Sequence, residues 1–171
     1  MRHPGGEDDA AGEAFWRFSL ALYARPGVAD ALIAIQDRAA RDVNLILFAL
    51  WLGASRGRRL AAGELAGAEA AIAPIAGAAV APLRRLRRQL KSAADPDLAA
   101  LRRRIAALEI TAERRVQYRL AAQRTAATGP QADRLAAAQA NLALYLADEA
   151  RSPEAGVLCR ALASLIRRAE H

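Results

Sequence analysis

The chain has 171 residues, 54% of them apolar and 25% charged, with 25 Lys and Arg against 18 Asp and Glu for a formal net charge of +7. That length suits one domain able to bury about 70% of its unfolded surface, so a core forms without a metal or a disulfide. A single cysteine, Cys159, excludes an intramolecular disulfide, and two histidines near the ends, His3 and His171, exclude a Cys/His zinc site and argue against a Ser-His-acid triad or a Cys-His dyad.

Alanine supplies 46 residues, about half of the apolar fraction, so most of the chain favours helix while adding little core volume. Bulk is concentrated early: Phe15, Trp16, Phe18, Tyr23, Phe48 and Trp51 precede residue 52, and only Tyr118 and Tyr145 follow. Charge is as uneven. Residues 84–124 hold 12 basic and 4 acidic side chains, whereas 1–83 hold 8 and 9, and 125–171 hold 5 and 5. The net positive charge therefore belongs to the middle segment. No β-branched alternation or Asn-Gly hairpin signal occurs, and no Walker loop or strand-linked G-x-G-x-x-G is present. The expected fold is an all-α, irregular bundle of about seven helices.

In chain order, residues 1–12 are expected to form a disordered tail. Glu7, Asp8, Asp9 and Glu13 without an apolar stretch do not make a signal peptide. Helix one is placed at about Glu13 to Ala24, closed by Arg25-Pro26-Gly27 because a residue before proline avoids helical angles. Helix two covers about Val28 to Ala39, with Val28, Leu32 and Ile35 inward. Asp42 is the expected N-cap of helix three, which runs to about Gly53. Its run Val43 to Leu52 is the longest dense apolar stretch, too short to cross a bilayer, so no transmembrane segment and a cytoplasmic location are expected. From Ala61 to Ala81 a small-residue helix is expected to kink or break near Pro74 and Pro82. Helix five, about Pro82 to Ala93, has a Leu83-Leu86-Leu90 stripe among basic residues.

Asp95-Pro96-Asp97 is a strong helix start. The helix that follows, to about Ala126, carries Leu98, Leu101, Ile105, Leu108, Ala112, Val116 and Leu120 at spacings of three and four, predicting a coiled-coil-like seam antiparallel to one of the two preceding helices. Gly129-Pro130 breaks the chain. Helices at about Gln131 to Ala150 and from Ser152-Pro153-Glu154 onward complete it. The expected organisation is a core over 13–126 and a helical hairpin over 127–171 packed on it.

Several strings resemble one family taken together. They are Phe15-Trp16-Arg17-Phe18-Ser19-Leu20 with Tyr23 and Pro26-Gly27-Val28, Gln36-Asp37-Arg38, Asp42-Val43-Asn44-Leu45 through Trp51-Leu52-Gly53, Val80-Ala81-Pro82-Leu83-Arg84 with Leu90-Lys91, and Glu109 with Glu113-Arg114. The set resembles domain of unknown function 2390, an uncharacterised bacterial family of small helical proteins, over about residues 14–122. The resemblance implies a bacterial, cytoplasmic, α-helical protein and no particular activity. Ile75 stands where the family would place an aromatic after Pro74.

Three constellations are candidates for function. Glu109 and Glu113 lie four apart, with Glu109 inside the apolar seam and no basic partner at helical spacing in its own helix. A carboxylate so placed needs a partner from elsewhere. The structural reading is an ion pair with an arginine of residues 84–88. The functional reading is half of a carboxylate metal site with Asp37 or Asp42 opposite, against which stands the lack of the Glu-x-x-His that di-metal bundles use. Asp42 and Asn44 open the most apolar helix: Asp42 reads as a cap, while Asn44 needs a buried partner or a cavity. Asp37, Asp42, Asn44, Glu109 and Glu113 together would line a polar pocket. The third constellation is Arg84, Arg85, Arg88 and Lys91 with Arg102, Arg103 and Arg104, a basic surface if the two helices form a hairpin.

The preferred expectation is a non-catalytic cytoplasmic accessory or regulatory protein that binds a macromolecular partner, a protein first and nucleic acid second, through residues 84–104. Sparse aromatics and no recognisable binding module argue against nucleic acid. The alternative is an enzyme or small-ligand binder using the polar pocket. No cofactor and no metal are expected. Close-packing alanine faces would permit a homodimer, though nothing demands one.

Overall fold

A computed structural model describes residues 5–92, 94–123 and 133–169. The α-helices are α1 (Gly5–Tyr23), α2 (Val28–Ala39), α3 (Val43–Arg56), α4 (Ala62–Ile75), α5 (Ala81–Gln89), α6 (Pro96–Ala121), α7 (Arg134–Leu146) and α8 (Pro153–Ala169). A π-helical turn, Ala76–Val80, joins α4 to α5, and a 3₁₀ turn, Ala147–Arg151, joins α7 to α8. Because Ala62–Gln89 runs as one uninterrupted rod, the described residues form seven rods, and no strand occurs among them. The protein is all-α.

The centre is α3. The Asp42 carboxylate accepts from the Asn44 N–H at 2.7 Å and starts the helix, while Gly57 ends it with a φ of 61° that suits a residue without a Cβ. Every residue from Val43 to Ala54 is buried. Phe15 of α1 stacks on Trp51 at 4.9 Å between centroids and packs against Phe48 at 6.0 Å. Each such side chain contributes about 1.5–3 kcal/mol by leaving water. α7 crosses α3 closely enough that a methyl on Gly53 would overlap the backbone of Ala137 and Ala138. Asn141 fixes this crossing: its amide donates to the carbonyls of Ala49 (3.1 Å) and Arg58 (2.7 Å), and its oxygen accepts from the Leu60 N–H (2.7 Å). α8 packs on α2. Leu142, Leu146, Leu158 and Leu162 belong to the same apolar cluster as Phe15 and Phe48.

Some boundaries differ from the sequence reading. Helix α1 begins at Gly5 and not near Glu13. Its acidic first turn, Glu7 and Asp8, suits the positive helix end. Tertiary contacts also hold it: Gly12 leaves room for the Tyr118 ring, and Glu13 accepts from Tyr118 Oη (2.7 Å) and Arg114 (2.6 Å). Residues 1–4 of the expected tail, and the Gly129-Pro130 break, lie outside the described residues. Of the two prolines expected to kink the rod, Pro74 precedes the π turn, where the Ala81 N–H reaches back to the Ala76 carbonyl. Pro82 follows directly after the π turn, and the rod continues through it. By length and composition alone, this 28-residue rod is long and apolar enough to cross a membrane, a stretch longer than the Val43–Leu52 run considered from the sequence. Its apolarity is mostly alanine and glycine, and much of it is exposed.

The seam of α6 is also rotated. Ile105, Val116 and Leu120 are buried as expected, but Leu98, Leu101 and Leu108 are exposed, Leu108 to 57%. Glu109 and Gln117 take the inward face. Both meet specific polar partners there, whose loss would cost more than the exposure of a leucine. The rod and α6 are antiparallel: Arg119 donates to the Ala71 carbonyl, Arg84 pairs with Glu113, and Arg87 with Glu109.

Candidate functional site

Where α5 faces α6, the middle segment's charge separates into two sets. Arg84, Arg87, Arg88 and Lys91 recur at spacings of three and four, which puts them on one face of the rod. Arg84 Nε lies 3.1 Å from Glu109 Oε1, and its terminal nitrogen 2.6 Å from Glu113 Oε1. Arg87 Nε lies 2.5 Å from Glu109 Oε2. Glu109 is 5% exposed, so both its oxygens are bound by guanidinium forks in a nearly dry setting. Burial raises its pKa, but the bonds from Arg87 and Arg84 outweigh burial and hold the carboxyl below its ordinary value. Glu113 goes the other way: burial pushes it up, Arg84 opposes, and Glu109 and Asp42 add like charge. Tyr23, beside the same group, is pushed up to about 12 by burial and then by Glu113. The structural reading of Glu109, an ion pair with an arginine of residues 84–88, is what the chain forms.

These side chains floor a cleft of about 790 Å³ between α1, α2, α5 and α6. Its lining holds six cations (Arg84, Arg87, Arg88, Lys91, Arg102 and Arg103) and three acids (Asp37, Glu109 and Glu113). Asp37 pairs with Arg88 at 3.0 Å, both about half exposed, a bond adding about 0–1 kcal/mol. Lys91 and Arg103 are exposed and make no ion pair among the described residues. Arg102 is half-buried, and its Nε is buried with no hydrogen-bond acceptor. The inner part of the cleft is thus neutralised from within and its mouth is not.

Of the residues assigned to a polar pocket, Asp37, Glu109 and Glu113 share this cleft, while Asp42 and Asn44 are not in its lining. Asp42 caps α3, and its N–H donates to Tyr145 Oη at 2.8 Å. Asn44 finds a buried partner and not a cavity: Gln117 Nε2 donates to its oxygen at 3.0 Å, and Ser19 Oγ donates to the Gln117 oxygen at 3.0 Å. This chain of hydrogen bonds ties α1, α3 and α6 together. Asp42 and Asn44 thus stand apart from the cleft that Asp37 and Glu109 share. Among the basic residues, Arg85 and Arg104 are exposed but lie outside the cleft lining. No group of three or more metal-ligating side chains occurs among the described residues.

The sequence reading did not single out Arg87, although its spacing of three from Arg84 and four from Lys91 places it on the same face. It also missed a second concavity of about 420 Å³ lined by Trp16, Ile110, Thr111, Arg114, Arg115 and Tyr118. There the Arg114 guanidinium lies 5.8 Å from the Trp16 ring centroid and 5.4 Å from that of Tyr118. No linear signal joins Trp16 to Arg114, because two antiparallel helices bring them together.

No curated protein and no solved structure matches the chain. The family model that does match, described as protein of unknown function (DUF2390), covers residues 14–120, which takes in α1 to α6 from Ala14 and hence both concavities. The chain belongs to that family.

Proposed function

We propose that the chain is a non-catalytic accessory or regulatory protein of the cytoplasm that binds an acidic macromolecular partner through the mouth of the α5–α6 cleft. One observation carries this reading. The acids of the lining neutralise Arg84 and Arg87, and nothing among the described residues neutralises Lys91, Arg102 and Arg103. A half-buried guanidinium with an orphaned donor lacks the acceptor that a carboxylate or phosphate would supply. Exposed cations beside it add attraction and faster encounter, both weakened by salt.

The test titrates the purified chain with fluorescent poly-glutamate and with single- and double-stranded oligonucleotides at several ionic strengths. Binding of at least one polyanion, lost as salt rises and reduced by Lys91→Glu with Arg103→Glu, is expected. Binding of none at low salt would overturn the reading.

The small-ligand alternative keeps one supporting observation: Glu109 and Glu113, four residues apart in a concave site, have acidities pushed in opposite directions. Both carboxylates are held by Arg84, which leaves less of either for a substrate.

A further inference from the structure

The two concavities share a wall, because Ile110 lines both. On α1, Trp16 lines one and Tyr23 the other. Leu20 stands between them in sequence at spacings of four and three, so the three residues share a face of α1. Leu20 is 52% exposed and Ile110 53%, and Ile33, also in the cleft lining, is 48%. Trp16 and Ile110 meet in one concavity and Tyr23, Ile33 and Ile110 in the other, so with Leu20 on the same face of α1 they make an apolar strip from one concavity to the other. Its two ends are basic: Arg102 and Arg103 with Lys91 at one, and Arg115 at the other, exposed and without an ion pair among the described residues.

We infer that this strip is a docking groove for an acidic amphipathic helix, which lays an apolar face on Leu20, Tyr23 and Ile110 and sets carboxylates against the cations at both ends. The inference rests on the reading of the cleft mouth as a contact surface and names the partner that surface takes. Charge complementarity selects an acidic occupant. Branched aliphatic side chains between the basic ends select a peptide over a nucleic acid, whose bases call for open aromatic faces and whose phosphates call for an unbroken basic track. The aromatic pair Trp16 and Tyr118 is already engaged by Arg114. Arg103 and Arg115 are separated by about 18 Å along α6, matching a helix of roughly three to four turns.

The experiment selects binders to the full chain from a displayed library of random peptides of about 16 residues, long enough for that span. The best binder is then synthesised for titration. Selected sequences are expected to carry apolar residues at helical spacing with Asp or Glu flanking them, and to gain helical circular dichroism on binding. Ile110→Asp and, separately, Lys91→Glu with Arg103→Glu are each expected to weaken the peptide by about tenfold or more. All three positions are exposed, and an unchanged unfolding midpoint verifies that the variants fold. No enrichment, enrichment of peptides without acids, or tighter binding of an oligonucleotide than of the peptide overturns the inference. Loss of binding in the charge-reversed variant alone, with Ile110→Asp unaffected, overturns the groove and leaves the basic mouth standing. Indifference to both overturns both. Concentration-dependent dimerisation in sedimentation, abolished by Ile110→Asp, would assign the groove to a second copy instead.

Discussion

The inner and outer arginines of the α5–α6 hairpin are close in sequence and opposite in circumstance. Arg84 and Arg87 meet Glu109 and Glu113 at 2.5–3.1 Å and end as parts of the fold. Arg103, like Lys91, faces water with no acid among the described residues to meet it, and Arg102 keeps a buried donor without an acceptor. Net charge read from a sequence therefore overstates the charge available to a partner. What decides is which cations the antiparallel register sets opposite the acids, here Arg84 against Glu113 and Arg87 against Glu109.

The contrast is broken most severely at Glu109. Glu109→Ala leaves Arg87 partly buried without a counter-charge and Arg84 with Glu113 alone, and a loss towards the lower end of about 3–5 kcal/mol is expected in urea unfolding. A loss under about 1 kcal/mol would mean that water already screens the cluster. Replacing Glu109 and Arg87 together by Met is expected to recover most of that loss, because a packed apolar pair removes the desolvation cost together with the attraction while Arg84 keeps Glu113. Equal destabilisation of the double variant would show instead that the ion pair specifies the packing of α5 on α6.

Acid pH separates the two carboxylates more gently. The folded-state pKa of Glu109 is held below its ordinary value of 4.5. Its stabilisation is therefore present above that value and is lost as pH falls through the folded one. Glu113 is raised, so its contribution has the opposite sign: fully present below 4.5 and lost as pH rises through its raised value. Stability measured against pH should fall less steeply at the acid end in Glu109→Gln than in the native chain. Glu113→Gln should not flatten it.

The smallest expected effect on stability is at the mouth. Lys91→Ala and Arg103→Ala should each change unfolding free energy by no more than about 0.5 kcal/mol, as substitutions at exposed, unpaired positions do. A larger loss would place these side chains among the structural set.

Much of this arrangement was legible in the sequence. The all-helical class, the caps at Asp42 and Asp95, and the start at Ser152-Pro153 follow from local rules, because a cap needs only the residues next to it. Glu109 reads from the sequence as an acid in need of a partner, because its neighbours at helical spacing offer none. The rotation of α6 was not legible. Counting leucines puts Leu101 and Leu108 inward, whereas Gln117 and Glu109 win that face through partners on α1, α3 and α5 that no window of sequence contains. The separation of Asn44 from the cleft has the same cause. The groove along Trp16, Leu20, Tyr23 and Ile110 also depends on α1 lying beside α6, a tertiary fact, although the spacing on α1 was there to read.

The most direct test of the division between the two sets is the salt dependence of polyanion affinity in two variants. The account predicts that Lys91→Glu with Arg103→Glu lowers the slope of log affinity against log salt by about one for each cation removed. Arg87→Gln, which removes an internally paired cation, should leave that slope unchanged. Equal slopes in both variants, or a loss confined to Arg87→Gln, would contradict the claim that the unpaired cations at the cleft mouth are the ones that bind.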